Sequence, residues 1–251
     1  MSYNKIMAQY YDLLYSTKDY KKEIEFIKNT TDGFTSKKIL DIGCGTGTHT
    51  ILISALQPLS VTGIDLSVEM IQQAQSRNFD SQLIKFLVSD ITELEDKNFD
   101  LIISMFNVVN HINDLDYLYK FFKNIREKIK KEGYLVFDSW NGAAAFKDPP
   151  RPQEKMVEGQ GTKIKIRNTP RMNWMESRVT MNVEAEIEID SAPFPIESFS
   201  YELHHTIWTP KILKDLLKMS NFKLVNLYRA FNSDTEATQE DYKIVFICKA
   251  I

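Results

Sequence analysis

Cysteine is nearly absent from this 251-residue chain, with Cys44 and Cys248 the only two. Two cysteines so far apart make neither a disulfide framework nor a zinc pattern. No run approaches the roughly 18 apolar residues of a membrane span, and Met1 to Asp12 carry no apolar signal core. A cytoplasmic protein without a membrane partner is expected. Clustered cations are also missing. The formal net charge is −3, and a phosphate backbone is bound by grouped Lys and Arg, so nucleic acid is not an expected partner. The lysines from Lys120 to Lys131, with Arg126, are spaced by apolar residues and read as the wet face of a helix. Repeats and low-complexity tracts are lacking. Apolar residues, by contrast, are plentiful enough for a sizeable core, in one elaborated domain or a domain plus a subdomain.

Residues 1–18 are rich in tyrosine (Tyr3, Tyr10, Tyr11, Tyr15). A helical stretch follows, with Tyr20, Ile24 and Ile27 on one face. From Lys37 the chain alternates. Short apolar strands are expected at 38–41, 60–65, 84–88, 99–104 and 134–138. Helices lie between most of them, one over 48–56 and one capped by Ser67 with Met70, Ile71 and Ala74 on its apolar side. Another starts at Asn113 or Asp114, carries Leu115, Leu118, Phe122, Ile125 and Ile129, and ends near Gly133. This rhythm predicts a Rossmann-like, mostly parallel sheet with helices on both faces.

After Trp140 the rhythm changes. Gly142, Pro149, Pro150 and Pro152 make 141–152 read as a loop. Val179, Met181, Val183, Ala185, Ile187 and Ile189 then alternate with polar residues, and Phe199, Tyr201 and Leu203 repeat the pattern. Period-2 alternation means strands with one buried face and one wet face. We read 141–200 as an antiparallel insertion after the fifth strand, packed over one end of the main sheet and serving acceptor binding or dimerisation. The core is then 1–140 and 201–251, with the N-terminal segment as a lid. Exposed edges of such an insertion invite a homodimer. Thr209-Pro210 starts a further helix, and 222–228 and 242–249 read as closing strands around a polar loop.

The most specific feature is the loop Asp41-Ile42-Gly43-Cys44-Gly45-Thr46-Gly47-Thr48, which follows a strand and opens a helix. Its glycines admit close backbone approach to a ligand. A dinucleotide fingerprint would place its third glycine at position 48, where Thr48 stands. Asp41 at the strand end suits a ligand with an ammonium group better than a pyrophosphate. S-adenosylmethionine has an α-ammonium, a sulfonium and no phosphate. Asp65 ends the second strand, where a carboxylate accepts from ribose hydroxyls. Asp90 ends the third, placed for an adenine amino group, with Ile91 and Leu66 on either side of the ring. Cys44 has no base at fixed spacing and reads as a small residue whose backbone matters.

These motifs resemble those of class I S-adenosylmethionine-dependent methyltransferases: Leu40 to Gly47 the first, Gly63-Ile64-Asp65-Leu66-Ser67 with Met70 the second, Ser89-Asp90-Ile91 the third. The resemblance implies a seven-stranded sheet with its last strand antiparallel. Tyr10-Tyr11-Asp12-Leu13 with Lys18-Asp19-Tyr20, and Ser104-Met105-Phe106-Asn107 leading to His111, resemble the deoxyamino-sugar N,N-dimethyltransferases, which methylate an amino group on a nucleotide-linked sugar. By that resemblance, Tyr11 and Tyr20 would contact the methionine part of the cofactor, Met105 would line its pocket and His111 would face the acceptor. The sequence departs from that family at 136–141, where only Trp140 keeps its aromatic character.

Methyl transfer from a sulfonium needs no metal, only a nucleophile held in line with the C–S bond. The cofactor would leave as S-adenosylhomocysteine. His111 is the candidate for accepting a proton from a small-molecule acceptor, or equally for orienting it. Of His204 and His205, only one can face inward on a strand. Trp140 and Trp174 are candidates for an aromatic wall. Methylation of an oxygen on another metabolite, a nicotinamide-dependent oxidoreductase and a non-catalytic cofactor-binding module stay open as alternatives.

Overall fold

The computed structural model describes residues 5–77, 80, 82–159, 161–190 and 197–251. Tyr3 lies outside them. Two helices come first, α1 (Lys5–Leu14) and α2 (Tyr20–Thr30). The core then runs β1 (Lys38–Ile42), α3 (Thr48–Ser54), β2 (Ser60–Asp65), α4 (Val68–Ser76), β3 (Ile84–Val88), β4 (Phe99–Ser104), α5 (Leu115–Lys128) and β5 (Ile129–Trp140). After a short α6 (Gly142–Lys147), four strands follow: β6 (Gln153–Gly159), β7 (Thr162–Asn173), β8 (Arg178–Ile189) and β9 (Glu197–Thr206). Helix α7 (Pro210–Met219), β10 (Phe222–Arg229) and β11 (Lys243–Ala250) complete the chain.

The main sheet has seven strands in the order β3-β2-β1-β4-β5-β11-β10. Its strands run parallel except β11, which is antiparallel to both neighbours. Alternation along the strands sends side chains to two cores. Leu40, Ile102, Phe137 and Phe246 meet α5 and α7 on one face. Ile39, Leu101, Ile103 and Val245 meet α2 on the other. Phe137 and Phe246, neighbours across β5 and β11, stack with centroids 4.6 Å apart. Both faces are therefore covered, as the near-continuous apolar strands require. The chain moves outward from β1 to β3, then crosses back to β4 beside β1. A crevice forms at such a reversal, beyond the carboxyl ends of the strands.

The four later strands form a separate antiparallel sheet in the order β6-β7-β8-β9. Its inner face (Ile164, Ile166, Val183, Ala185, Ile187) packs with Met7, Tyr10 and Leu14 of α1. On its wet face Glu184, Glu186 and Glu188 pair in register with Arg167, Lys165 and Lys163. Opposite charges across strands favour this register and oppose a one-residue slip. The sheet continues to Thr206, so β9 reaches back to the core.

Three local expectations need correction. The 141–152 segment is not all loop, because Asn141 accepts the Ala143 N–H and caps α6, whose alanines favour helix. Helix α5 stops at Lys128, five residues before Gly133, since Ile129 already pairs with Phe99 of β4. Lys128 is buried rather than on the wet face.

Candidate active site

A cavity of about 770 Å³ fills the crevice beneath the second sheet. The Gly43 to Thr46 loop and the ends of β2 and β3 make its floor. Ile166, Met181, Val183, Tyr201 and Leu203 make its roof, and Tyr11 and Leu14 of α1, with Tyr15 just after it, one wall. Helix α1 is tied to the floor because Thr46 Oγ1 donates to Asp12 Oδ1 at 2.5 Å.

Two glycines show what the loop needs. Gly43 has φ +71°, and a Cβ there would lie 2.5 Å from Val108 Cγ2. Gly45 has φ +55°, and a Cβ there would meet nothing within 4 Å. Gly43 therefore serves packing, while Gly45 leaves open space at the cavity floor. Asp65 ties the loop to the second strand. Its Oδ2 accepts from Gly45 N and its Oδ1 from Ser67 N, each at 2.9 Å. Burial raises its pKa despite these bonds.

The structure brings every sequence-selected cofactor residue to the cavity except one: Tyr11, Tyr20, Gly43, Cys44, Gly45, Asp65, Leu66, Met70, Asp90, Ile91 and Met105 all line it. Asp41, buried beneath the loop, does not line it. Its carboxyl is sealed under the loop, where Thr50 of α3 donates Oγ1 to it at 2.7 Å. Asp41 thus braces strand against helix, and burial raises its pKa. The Cys44 thiol is pushed well above its ordinary value by burial, so no thiolate forms there. Trp140 lines the cavity, whereas Trp174 is exposed near Phe146.

Asp90 has partners that sequence spacing does not flag. Tyr117, in the first turn of α5, donates its phenol to Asp90 Oδ2. Thr92 donates both N and Oγ1 to Asp90 Oδ1 at 2.7 Å. Burial pushes the Asp90 pKa up, but these donors together hold it below the ordinary carboxylate value. The helix cap is the source of this placement, because Asp114 accepts the Tyr117 N–H.

His111 sits in a 3₁₀ turn, Val108–His111, after β4. The turn is pinned to β9 and the segment after it. Asn110 Nδ2 donates to the Thr206 carbonyl at 2.9 Å, and Trp208 Nε1 to the Val109 carbonyl at 3.1 Å. His111 Nδ1 lies 3.4 Å from the His204 carbonyl. A carbonyl only accepts, so Nδ1 carries the hydrogen and Nε2 the lone pair. Burial pushes the His111 pKa down to about 4, leaving it neutral at pH 7. His205 also faces inward and its pKa is pushed down to about 3, first by burial and then by the neighbouring histidines.

A buried charge network braces the far wall. His49 Nε2 meets Glu23 Oε2 at 2.8 Å, Glu23 pairs with Lys18, and the His49 ring lies 5.0 Å from Tyr20. Asp138 pairs with Lys243 at 2.8 Å and accepts the Asn107 N–H at 2.8 Å. It thereby holds Phe106 and Asn107, which have φ +74° and +62°. Strained backbone of this kind persists only where its surroundings hold it.

The methyltransferase domain family model matches residues 34–189. Among curated proteins, YqeM of Bacillus subtilis, named a methyltransferase provisionally, is 34% identical over 56% of this chain and 58% of its own. The chain spans about half the length of the curated relatives it matches. Among solved structures, an S-adenosylmethionine-dependent methyltransferase from Clostridium acetobutylicum aligns over 99% of this chain and 98% of its own. Its TM-score is 0.78 and its identity 22%. The sugar N-methyltransferase KedS8 from Streptoalloteichus aligns over 96% and 93%, with TM-score 0.76 and 18% identity. With its fold shared by S-adenosylmethionine-dependent methyltransferases over nearly the whole length, this chain belongs to the methyltransferase domain family.

Proposed function

We propose that the protein transfers a methyl group from S-adenosylmethionine to an amino group of a small molecule, with an amino sugar, free or linked to a nucleotide, as the best-supported acceptor. The observation that carries this reading is one cavity lined by the glycine loop, Asp65 and Asp90 together with His111. The floor suits a phosphate-free cofactor. It presents two carboxylates, and Lys155 is the only Lys or Arg among the described lining residues. Asp65 would accept from the ribose hydroxyls and Asp90 from the adenine amino group, with Ile91 and Leu66 beside the ring. Tyr11, Tyr20 and Met105 would enclose the methionine part. When bound, the cofactor supplies a methyl group on a sulfonium that needs no further activation.

The residues of this chain then do two things. The roof and α1 exclude water and fix the acceptor in line with the methyl group. His111 Nε2 accepts a hydrogen bond from the nucleophile and orients its lone pair, and the proton stays on the methylated ammonium product. Among the described residues no carboxylate backs His111 or His205, and burial makes both weak bases, so an alcohol would keep its proton. A neutral amine attacks without prior deprotonation. The likeness to the sugar N-methyltransferase KedS8 supports the same choice. Lys155, at the outer edge of the roof, offers a cation to an anionic group on the acceptor.

The test is methyl transfer from labelled S-adenosylmethionine to a panel of amino sugars and the matching sugars with hydroxyl in place of amine. Labelling of the amino sugars, with a fall in kcat in His111→Ala, is expected. Labelling of the hydroxyl sugars alone would overturn the amine reading.

A further inference from the structure

His205 is a polar ring that the protein leaves without a polar partner. It lies on β9, lines the cavity and is 7% exposed. Its Nδ1 is buried and unpaired, and among the described residues no hydrogen bond reaches either ring nitrogen. The ring is held by faces instead. It stacks on Trp140 with centroids 4.7 Å apart and planes 11° apart, and it meets His111 at 4.5 Å. A phenylalanine would fill this stack with no polar atom to desolvate. Nδ1 is sealed from the cavity, so the ring meets a ligand through Nε2, which no protein group engages among the described residues.

The neighbouring ring narrows what that ligand presents. His111 has its Nδ1 hydrogen engaged by the His204 carbonyl, so toward the cavity it only accepts. His205 has neither nitrogen committed and can donate or accept. The two rings come from different layers, one from the core turn and one from the roof sheet. They stand side by side, 4.5 Å apart, over one space, so one ligand with polar groups on adjacent atoms would reach both.

Resting on the methyltransferase reading above, we propose that His205 is an acceptor-recognising residue that hydrogen-bonds a second polar group on the atom next to the methylated one, making vicinal amino alcohols the preferred acceptor class. His111 accepts a hydrogen bond from the amine, and His205 takes the adjacent hydroxyl. Trp140 sets the His205 ring plane, and the carbonyl of His204, one residue earlier on the same strand, sets the His111 tautomer. The roof sheet then supplies specificity as well as cover.

The experiment loads the protein with S-adenosylhomocysteine and titrates it with trans-2-aminocyclohexanol, cyclohexylamine and cyclohexanol, observed by ¹⁵N NMR of the histidine rings. The amino alcohol should bind at least about tenfold tighter than either single-function probe and shift the ring nitrogens of both His111 and His205. His205→Phe, which keeps the stack, should abolish the preference, so that the amino alcohol binds no tighter than cyclohexylamine. His205→Gln should restore part of it. Equal binding of amino alcohol and amine, no binding by any probe, or an unaltered preference in His205→Phe would overturn the proposal. Failure to load with S-adenosylhomocysteine would instead overturn the methyltransferase reading on which it rests.

Discussion

Acidification tests the two buried imidazoles directly. Their folded-state pKa values, about 4 for His111 and about 3 for His205, lie below the unfolded value near 6.5. Between these limits the unfolded chain binds protons that the folded chain refuses. Stability is therefore complete above about pH 6.5 and is lost as the pH falls toward the folded values. Each refused proton costs about 1.4 kcal/mol per pH unit, so from pH 6.5 to 5 each ring removes about 2 kcal/mol. The raised carboxyls of Asp41 and Asp65 act in the opposite sense. Comparison with His205→Phe cancels them, because they are present in both proteins. The variant keeps the stack on Trp140 and should lose about 2 kcal/mol less than wild type over that interval. At pH 7 it should be at least as stable as wild type, since an unpaired buried nitrogen has gone. Urea unfolding at pH 7, 6 and 5, with linear extrapolation, reads both quantities. Parallel pH dependences in the two proteins would refute the burial of a neutral His205.

Four further substitutions separate packing from ligand contact. Gly43→Ala should cost about 2–4 kcal/mol in thermal unfolding, because left-handed strain adds to the clash with Val108; Gly45→Ala should cost only about 1–2 kcal/mol yet weaken S-adenosylhomocysteine binding at least about tenfold by calorimetry. Tyr117→Phe removes a donor from Asp90 and should weaken the same binding by about 1 kcal/mol without changing the fold, as read by calorimetry and circular dichroism. Asp138→Asn leaves Lys243 without its counter-ion and should cost about 3 kcal/mol in chemical unfolding, with part of the loss restored by Lys243→Met.

Much of the fold was legible because its signals are local. Strands β2, β3 and β4 coincide with their apolar runs, bounded by turn residues and by Asp65 and Ser104. The glycine loop announced the crevice, since glycines at 43, 45 and 47 in a strand-to-helix turn mark a backbone that ligands approach closely, although Gly43 and Gly47 also answer to Val108 and Phe86 packed against them. What stayed hidden depends on contacts distant in sequence. Asp41 looks like a ligand residue until Thr50 is seen to reach it from the next helix. Tyr117 meets Asp90 only because the α5 cap fixes its rotation. His205 becomes informative once Trp140 and His111, from two other elements, enclose it. The Asp138–Lys243 pair joins residues more than a hundred positions apart, and no spacing rule reports it.

The cavity floor is built for a phosphate-free, sulfonium-bearing nucleoside. Calorimetric titration of the protein with S-adenosylmethionine, S-adenosylhomocysteine and NAD in parallel tests it most directly. Saturable binding of the first two, lost in Asp65→Ala, with no heat from NAD, is the expected result. Binding of NAD alone would contradict the reading of the glycine loop and the function built on it.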